Sequence, residues 1–305
     1  MGEKVKYCIY MAIFRPLSWL PLCVLYGLSN LLCFVFRHIL HYRRNVIREN
    51  LTTCYPEKTE DELRKIEAEF YRQLGDNIVE TIKLLNISDS EVLRRIKVKG
   101  AQQIEAAADE NRPIILYLGH YCNWEWMSSI TYFYSRPKYS AQLYKPLHDK
   151  AFDEVMKKIR SRFGSVSIDK NKAFREMLRL AKTEGAFVVG FIADNRLSWV
   201  DTHHYTTFLR HHTWFYPGGE EIGSRMNAAF FYLDITKPSR GHYNLEIKPI
   251  VPKKEYPDYP YTRRYLEMLE ETIDRAPAYW LWSHKRWIDA KSTVVENNNS
   301  VNNKN

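Results

Sequence analysis

Gly119-His120-Tyr121-Cys122-Asn123-Trp124-Glu125 sets His120 and Glu125 in an H-x4-E arrangement. The apolar run at 114–118 just before it reads as a buried strand, so the histidine falls in a strand-to-helix turn. Asn123 is a favoured helix N-cap residue, which puts Glu125 in the first turn of the helix that follows. A histidine in the turn and a carboxylate one turn later can meet across the loop. The carboxylate then fixes the imidazole tautomer and raises its basicity. Such an imidazole can take a proton from a hydroxyl as it attacks a carbonyl. Free N–H groups at the helix start suit a phosphate or an oxyanion. As bare spacing, H-x4-E is a weak signal, because a lone histidine is more often structural. Its place at a strand C-terminus, where open α/β sheets hold ligands, strengthens it.

A sheet is needed to present that turn, and the sequence supplies one. Short apolar runs at 96–98, 112–119, 139–144, 166–168, 186–193, 228–235 and 243–250 predict strands. Helical spacing at 123–133, 148–163, 170–182 and 261–275 alternates with them. This predicts an α/β fold with a largely parallel sheet flanked by helices. Upstream, Thr59 followed by Glu62 forms a capping box. Leu63, Ile66, Phe70, Leu74, Ile78, Ile82 and Leu85 then mark one face of a long helix.

Residues 17–36 carry no charge, about the length that crosses a hydrocarbon core of ~30 Å. They predict an N-terminal membrane helix, with Trp19 in the interface and Arg15-Pro16 interrupting the apolar character upstream. Pro21, Gly27 and Asn30 weaken the span, so a half-inserted or surface-lying helix is the alternative. Arg37, Arg43, Arg44 and Arg48 follow it, which favours the C-terminal side as cytoplasmic and sets arginines among anionic headgroups. The organisation expected is a membrane anchor over 1–40, an α/β domain over 41–290, and a disordered, Asn-rich tail over 291–305.

The 305 residues carry a formal charge of +9 and are 45% hydrophobic. That content excludes a wholly disordered chain. A mean hydropathy of −0.46 with one long apolar stretch excludes a polytopic transporter. The five cysteines show no C-x-x-C pair, which argues against a disulfide framework or a cysteine zinc site. His203, His204, His211 and His212 suggest a metal cluster, but no cysteine or paired carboxylate accompanies them, so a surface loop is the better reading. The basic, aromatic stretch at 279–287 matches no known nucleic-acid module, and basic residues beside a membrane suit anionic lipid. Trp124 and Trp126 flank the histidine and either line a groove beside it or belong to the core.

Further blocks follow in order: Tyr144-Lys145-Pro146-Leu147, Arg162-Phe163-Gly164, Phe191-Ile192-Ala193-Asp194-Asn195, Phe215 with Gly219-Glu220-Glu221-Ile222, and Trp280-Leu281-Trp282-Ser283-His284-Lys285-Arg286-Trp287. With the H-x4-E turn and Arg43, Arg44, Val46, Asn50-Leu51 and Pro56-Glu57 after the span, they resemble the lysophospholipid acyltransferase superfamily. Within it, the chain resembles the late acyltransferases of lipid A biosynthesis, from the span to about Trp287. Cys122 stands where that branch commonly has glycine, and Lys145 where arginine is usual.

The resemblance implies a glycerolipid-acyltransferase-like fold and a bacterial inner-membrane location, with the catalytic domain facing the cytosol. It implies acyl transfer from an acyl thioester, usually acyl-acyl carrier protein or otherwise acyl-coenzyme A, to a hydroxyl of a lipid A precursor, with no further cofactor and no metal. His120 is then the general base and Glu125 its orienter, beside Asn123. Lys145, Arg162 and Arg196 would pair with phosphate or carrier phosphopantetheine. Asp194 and Glu220 would hold the acceptor or support the cations. Three other readings stay open: an acyltransferase for a glycerophospholipid or an amino-acid lipid; a His-dependent esterase or metal hydrolase, although no G-x-S-x-G is present; and a non-catalytic membrane scaffold.

Overall fold

The computed structural model describes residues 2–195 and 204–287 and the backbone of 293–294. The chain begins with α1 (Glu3–Trp19), α2 (Leu22–Phe34) and a π-turn at Val35–Ile39, then α3 (Arg44–Cys54), α4 (Glu60–Lys83) and α5 (Asp89–Arg95). The α/β core follows as β1 (Ile96–Lys99), α6 (Ala101–Asp109), β2 (Ile114–Leu118), β3 (Tyr139–Tyr144), α7 (Lys150–Arg160), β4 (Ser165–Asp169), α8 (Ala173–Thr183) and β5 (Phe187–Ile192). It closes with β6 (Tyr205–Phe208), β7 (His211–Trp214), α9 (Gly218–Arg225), β8 (Ala229–Ser239), β9 (His242–Pro249), α10 (Pro260–Arg275) and β10 (Thr293–Val294).

The main sheet has seven strands in the order β1-β9-β8-β2-β5-β3-β4. β8 and β9 are antiparallel, and every other neighbouring pair in it is parallel. β2 lies at the centre, buried at every position. That is why IILYL reads as an unbroken apolar run rather than an alternating one. The long helix α4 begins as expected: the Thr59 hydroxyl accepts from the Glu62 N–H, and the Glu62 carboxylate accepts from the Thr59 N–H at 2.8 Å.

The apolar N-terminus is built differently from the expected single helix. It breaks at Leu20-Pro21, not at Arg15-Pro16, which lies inside α1. Leu20 is extended (φ −63°, ψ 145°), as the ring of a following proline demands. Both resulting helices pack on the α/β domain. On α1, the Tyr10 hydroxyl donates to Asp149 at 2.9 Å and the Phe14 ring meets Phe152. On α2, Ser29 donates to Asp76 at 2.6 Å and Tyr26 to Glu80 at 2.9 Å. α2 crosses α4 at Gly75, where a Cβ would lie 2.7 Å from the Ser29 carbonyl oxygen. The opposite faces of these helices expose Ile9, Ile13, Trp19, Val24, Leu31 and Phe34.

The region expected as a histidine-rich connection contains the β6–β7 hairpin. Of the tail, Thr293–Val294 pairs antiparallel with β7, and the remainder lies outside the described residues.

Candidate active site

β2 and β5 are parallel neighbours with Leu118 opposite Ile192. His120 and Asp194 each lie two residues beyond, so strand register alone sets them face to face. The His120 Nδ1–H donates to Asp194 Oδ1 at 2.6 Å. Asp194 Oδ2 accepts from the His120 backbone N–H at 2.9 Å and from Trp280 Nε1 at 2.8 Å. Burial by itself would raise the Asp194 pKa. The His120 charge and these hydrogen bonds outweigh it and hold the carboxyl at about 2. The other ring nitrogen, Nε2, accepts from the Asn195 amide at 3.2 Å. The Trp124 ring stands edge-on to the imidazole, 5.0 Å away.

Glu125 does not hold His120. Its carboxylate makes a two-pronged pair with Arg160, at 2.7 Å to Nε and 2.6 Å to Nη2. The reason is local geometry. Residues 124–133 wind as a 3₁₀ helix, and Arg160 from the end of α7 reaches the carboxylate first. Asn123 does cap this helix, accepting from the Glu125 N–H at 3.3 Å. Its amide donates to the buried Glu80 at 3.1 Å.

The turn is clamped on two sides. The Cys122 N–H donates to the Tyr279 carbonyl at 2.9 Å, and its own carbonyl accepts from Asn77 at 2.9 Å. Cys122 has φ +53°, a left-handed backbone that accounts for the glycine usual in the resembling family. Gly119 permits the close approach of α10, since a Cβ there would lie 2.4 Å from Leu269 Cδ1.

His120 opens onto a cavity of about 980 Å³ between β2, β3, β5 and the 3₁₀ helix. Its lining combines apolar side chains, Leu118, Met127, Ile130, Ala141 and Val188 among them, with Glu125, Lys145, Arg160, Asn195 and His284 beside His120. Trp124 lines it too; Trp126 is core, fully buried with its indole N–H on the Glu80 carbonyl oxygen.

The remaining expected residues fall elsewhere. Arg162 bonds the Ile87 carbonyl and reaches Asp89 at 3.5 Å, outside the cavity lining. Glu220 caps α10, accepting from the Thr262 N–H and hydroxyl at 2.8 Å each. Arg196 and His203 lie outside the described residues. His211 donates to the Leu209 carbonyl and stacks on Trp287, and His212 stacks on Tyr205. Among the described residues no group of three His, Cys, Asp or Glu side chains converges as a metal site.

The sequence profile of bacterial lipid A biosynthesis acyltransferases matches residues 3–289. The chain belongs to this family. It is 26% identical over 271 residues to the lipid A biosynthesis palmitoleoyltransferase of Escherichia coli K12, covering 88% of this chain and 86% of that protein. A lipid A biosynthesis acyltransferase of Shigella flexneri matches to the same extent. The protein is therefore an acyltransferase, and the family assigns it to lipid A biosynthesis. Sequence reasoning missed Arg160 as the partner of Glu125, because pairing across 35 residues leaves no local pattern. It gave Asp194 a different task. The signal available was position: Asp194 follows a buried strand by as many residues as His120 follows its own.

Proposed function

We propose that this acyltransferase moves a fatty acyl group from an acyl thioester to a hydroxyl of a lipid A precursor, with His120 as general base and Asp194 as its orienting partner. The observation that carries this reading is the His120–Asp194 pair on the lining of a cavity rich in apolar side chains. With its proton held on Nδ1 by Asp194, His120 presents a lone pair at Nε2. Asn195 marks where a donor to that lone pair sits, and the acceptor hydroxyl takes this position. As its oxygen adds to the thioester carbon, the proton passes to Nε2. The tetrahedral intermediate then collapses, the C–S bond breaks, and the imidazolium returns the proton to the leaving thiolate. No acyl-enzyme is needed.

The apolar side chains of the lining suit the acyl chain, and Lys145 among them suits a phosphate of the donor or acceptor. Carrier-bound donor is the reading we favour, since a +9 chain attracts an acidic carrier protein. Glu125 and Arg160 act as one unit, fixing their part of the cavity wall.

The N-terminal helices attach the enzyme to a membrane rich in anionic lipid, lying in its surface. Residues Leu22–Ile39 are long and apolar enough to cross, with mean hydropathy 1.6. Yet Tyr26, Ser29 and Asn30, at the middle of that stretch, bond Glu80, Asp76 and Arg240. A crossing would draw these charges toward the hydrocarbon, where each costs several kcal/mol. An interfacial pose leaves them in the domain and puts Val24, Leu31 and Phe34 against lipid.

The test is mass spectrometry of lipid A from cells lacking the protein, complemented with wild type or His120→Ala. Loss of one acyl chain that wild type alone restores supports the reading; unchanged lipid A with another lipid depleted overturns the acceptor. Purified enzyme offered carrier-bound and coenzyme A thioesters decides the donor. A Glu3→Cys variant, with the native Cys8, Cys23 and Cys33 replaced by serine and labelled from one side of inverted inner-membrane vesicles, tests the pose. Labelling on the side of the catalytic domain is expected, and labelling on the opposite side refutes it.

A further inference from the structure

His284 shares the cavity with His120 and has no assigned task. It sits on the arm that follows α10, and that arm is fixed. Trp280 pairs with Tyr121 as an antiparallel bridge and bonds Asp194. Asn50 on α3 donates to the carbonyls of Trp282 at 2.8 Å and His284 at 3.0 Å, and Arg43 to that of Ser283 at 3.1 Å. The ring of His284 is therefore held by its backbone, while its nitrogens make no hydrogen bond among the described residues.

One of those nitrogens, Nδ1, is buried without a partner. A buried orphan N–H is rarer and costlier than an under-used lone pair, so the proton belongs on Nε2, the ring nitrogen left to face the cavity. Burial foremost, then His120, push the His284 pKa down to about 4, with Asp194 opposing and Arg286 and Arg43 adding to the fall. The ring is a neutral N–H donor at working pH. That matters beside His120, which becomes cationic as it takes the acceptor's proton; a second cation would oppose that transfer, and a neutral donor does not.

We propose that His284 is a second catalytic histidine, whose Nε2–H donates a hydrogen bond to the carbonyl oxygen of the acyl thioester and holds the oxyanion that forms there. This rests on the acyl-transfer reading above. When the acceptor oxygen bonds the carbonyl carbon, the π electrons move to the carbonyl oxygen and His284 stabilises that charge without giving up its proton. When the carbonyl reforms, the electron pair leaves with the thiolate sulfur.

The test compares wild type, His284→Ala and His284→Gln in the full chain, with an acyl thioester donor at saturating acceptor. Losing one oxyanion donor lowers kcat by roughly 10²–10³-fold, with the donor KM held within about threefold. The glutamine amide reaches the place of Nε2, so His284→Gln is expected to recover about tenfold over His284→Ala. Turnover of His284→Ala within threefold of wild type overturns the proposal. So does equal impairment of both variants with a lowered melting midpoint, which marks a structural residue. Nitrogen-15 NMR of the wild-type protein provides a reading free of substitution. A neutral Nε2–H tautomer from pH 5 to 8 is expected, and an Nδ1–H tautomer or a titration in that window refutes it. Inactive wild type would instead sink the acyl-transfer reading itself.

Discussion

Replacing Asp194 by asparagine should leave the site in place and disable it. Asp194 Oδ2 accepts two N–H groups, from the His120 backbone and Trp280, whereas Oδ1 accepts one, from the His120 ring. An asparagine oxygen fits the doubly donated position, which turns its NH₂ toward His120 Nδ1. Two donors cannot share that contact, so the imidazole moves its proton to Nε2. The lone pair that should receive the acceptor's proton then points at the amide. The analogous change in a Ser-His-Asp triad lowers kcat by about 10⁴-fold through the same tautomer switch. A loss of about 10³–10⁴-fold is expected here, or roughly 4–5.5 kcal/mol of barrier. Initial rates with a purified acyl thioester and a lipid A precursor measure it, alongside the His120 tautomer by nitrogen-15 NMR. If Asp194→Asn keeps a tenth of wild-type kcat while Glu125→Gln abolishes turnover, the assignment of the orienting carboxylate to Asp194 is refuted.

Glu125→Gln leaves Arg160 without its counter-charge in a largely enclosed place, so we expect a loss of about 1–3 kcal/mol by urea unfolding and a smaller kcat effect than in Asp194→Asn. A double-mutant cycle with Arg160→Ala should return a coupling of ~0.5–3 kcal/mol. Gly190→Leu adds a side chain where a Cβ meets nothing nearer than 3.8 Å, in the cavity wall; the fold should survive, while long-chain thioesters lose roughly tenfold or more in kcat/KM relative to short ones. Glu270 is held at about 7 by burial and Asp274, against the Leu209 N–H it accepts. Its folded pKa is raised, so this carboxyl costs nothing below the unfolded value of ~4.3, and stability is lost as pH rises from there through 7. Glu270→Gln should therefore match wild type in melting at pH 4 and exceed it at pH 8, by an amount on the order of 2 kcal/mol.

The parallel sheet was legible because its central strands are buried on both faces. IILYL and FVVGFI carry so little polar character that strand and depth are read together. The turn at His120 was legible for the same reason, since a strand that ends at a glycine and a histidine announces its own C-terminus. What the sequence hid were the pairings. An H-x4-E spacing suggests a local contact, but 3₁₀ winding after Asn123 carried Glu125 toward Arg160, and register, invisible in any short window, delivered Asp194. Arg162 and Glu220 show the same limit from the other side: residues typical of ligand contacts, they are occupied in tying Ile87 and the start of α10. The N-terminal break was marked by Pro21. That both halves would dock on the domain depended on Gly75 and Asp76, which lie far along the chain.

That docking connects the apolar face of the enzyme to its reacting groups through one residue. Glu80 on α4 is fully buried, and burial raises its pKa against the pull of Lys237, Tyr243 and Asn123. Tyr26 of α2 donates to one of its oxygens at 2.9 Å. The other accepts from Tyr243 at 2.5 Å and from Asn123 at 3.1 Å. Asn123 in turn starts the helix that carries Glu125, and neighbouring Asn77 holds the Cys122 carbonyl. A buried carboxylate with partners on every side is costly to rearrange, because each lost donor leaves charge unpaired in a low dielectric. The distance from the exposed apolar side of α2 to His120 is thus fixed by hydrogen bonds rather than by a linker. If the interfacial pose proposed above holds, an acceptor whose chains stay in the membrane while its hydroxyl reacts needs that constancy, because misplacement by about 1 Å costs on the order of 10²-fold in rate.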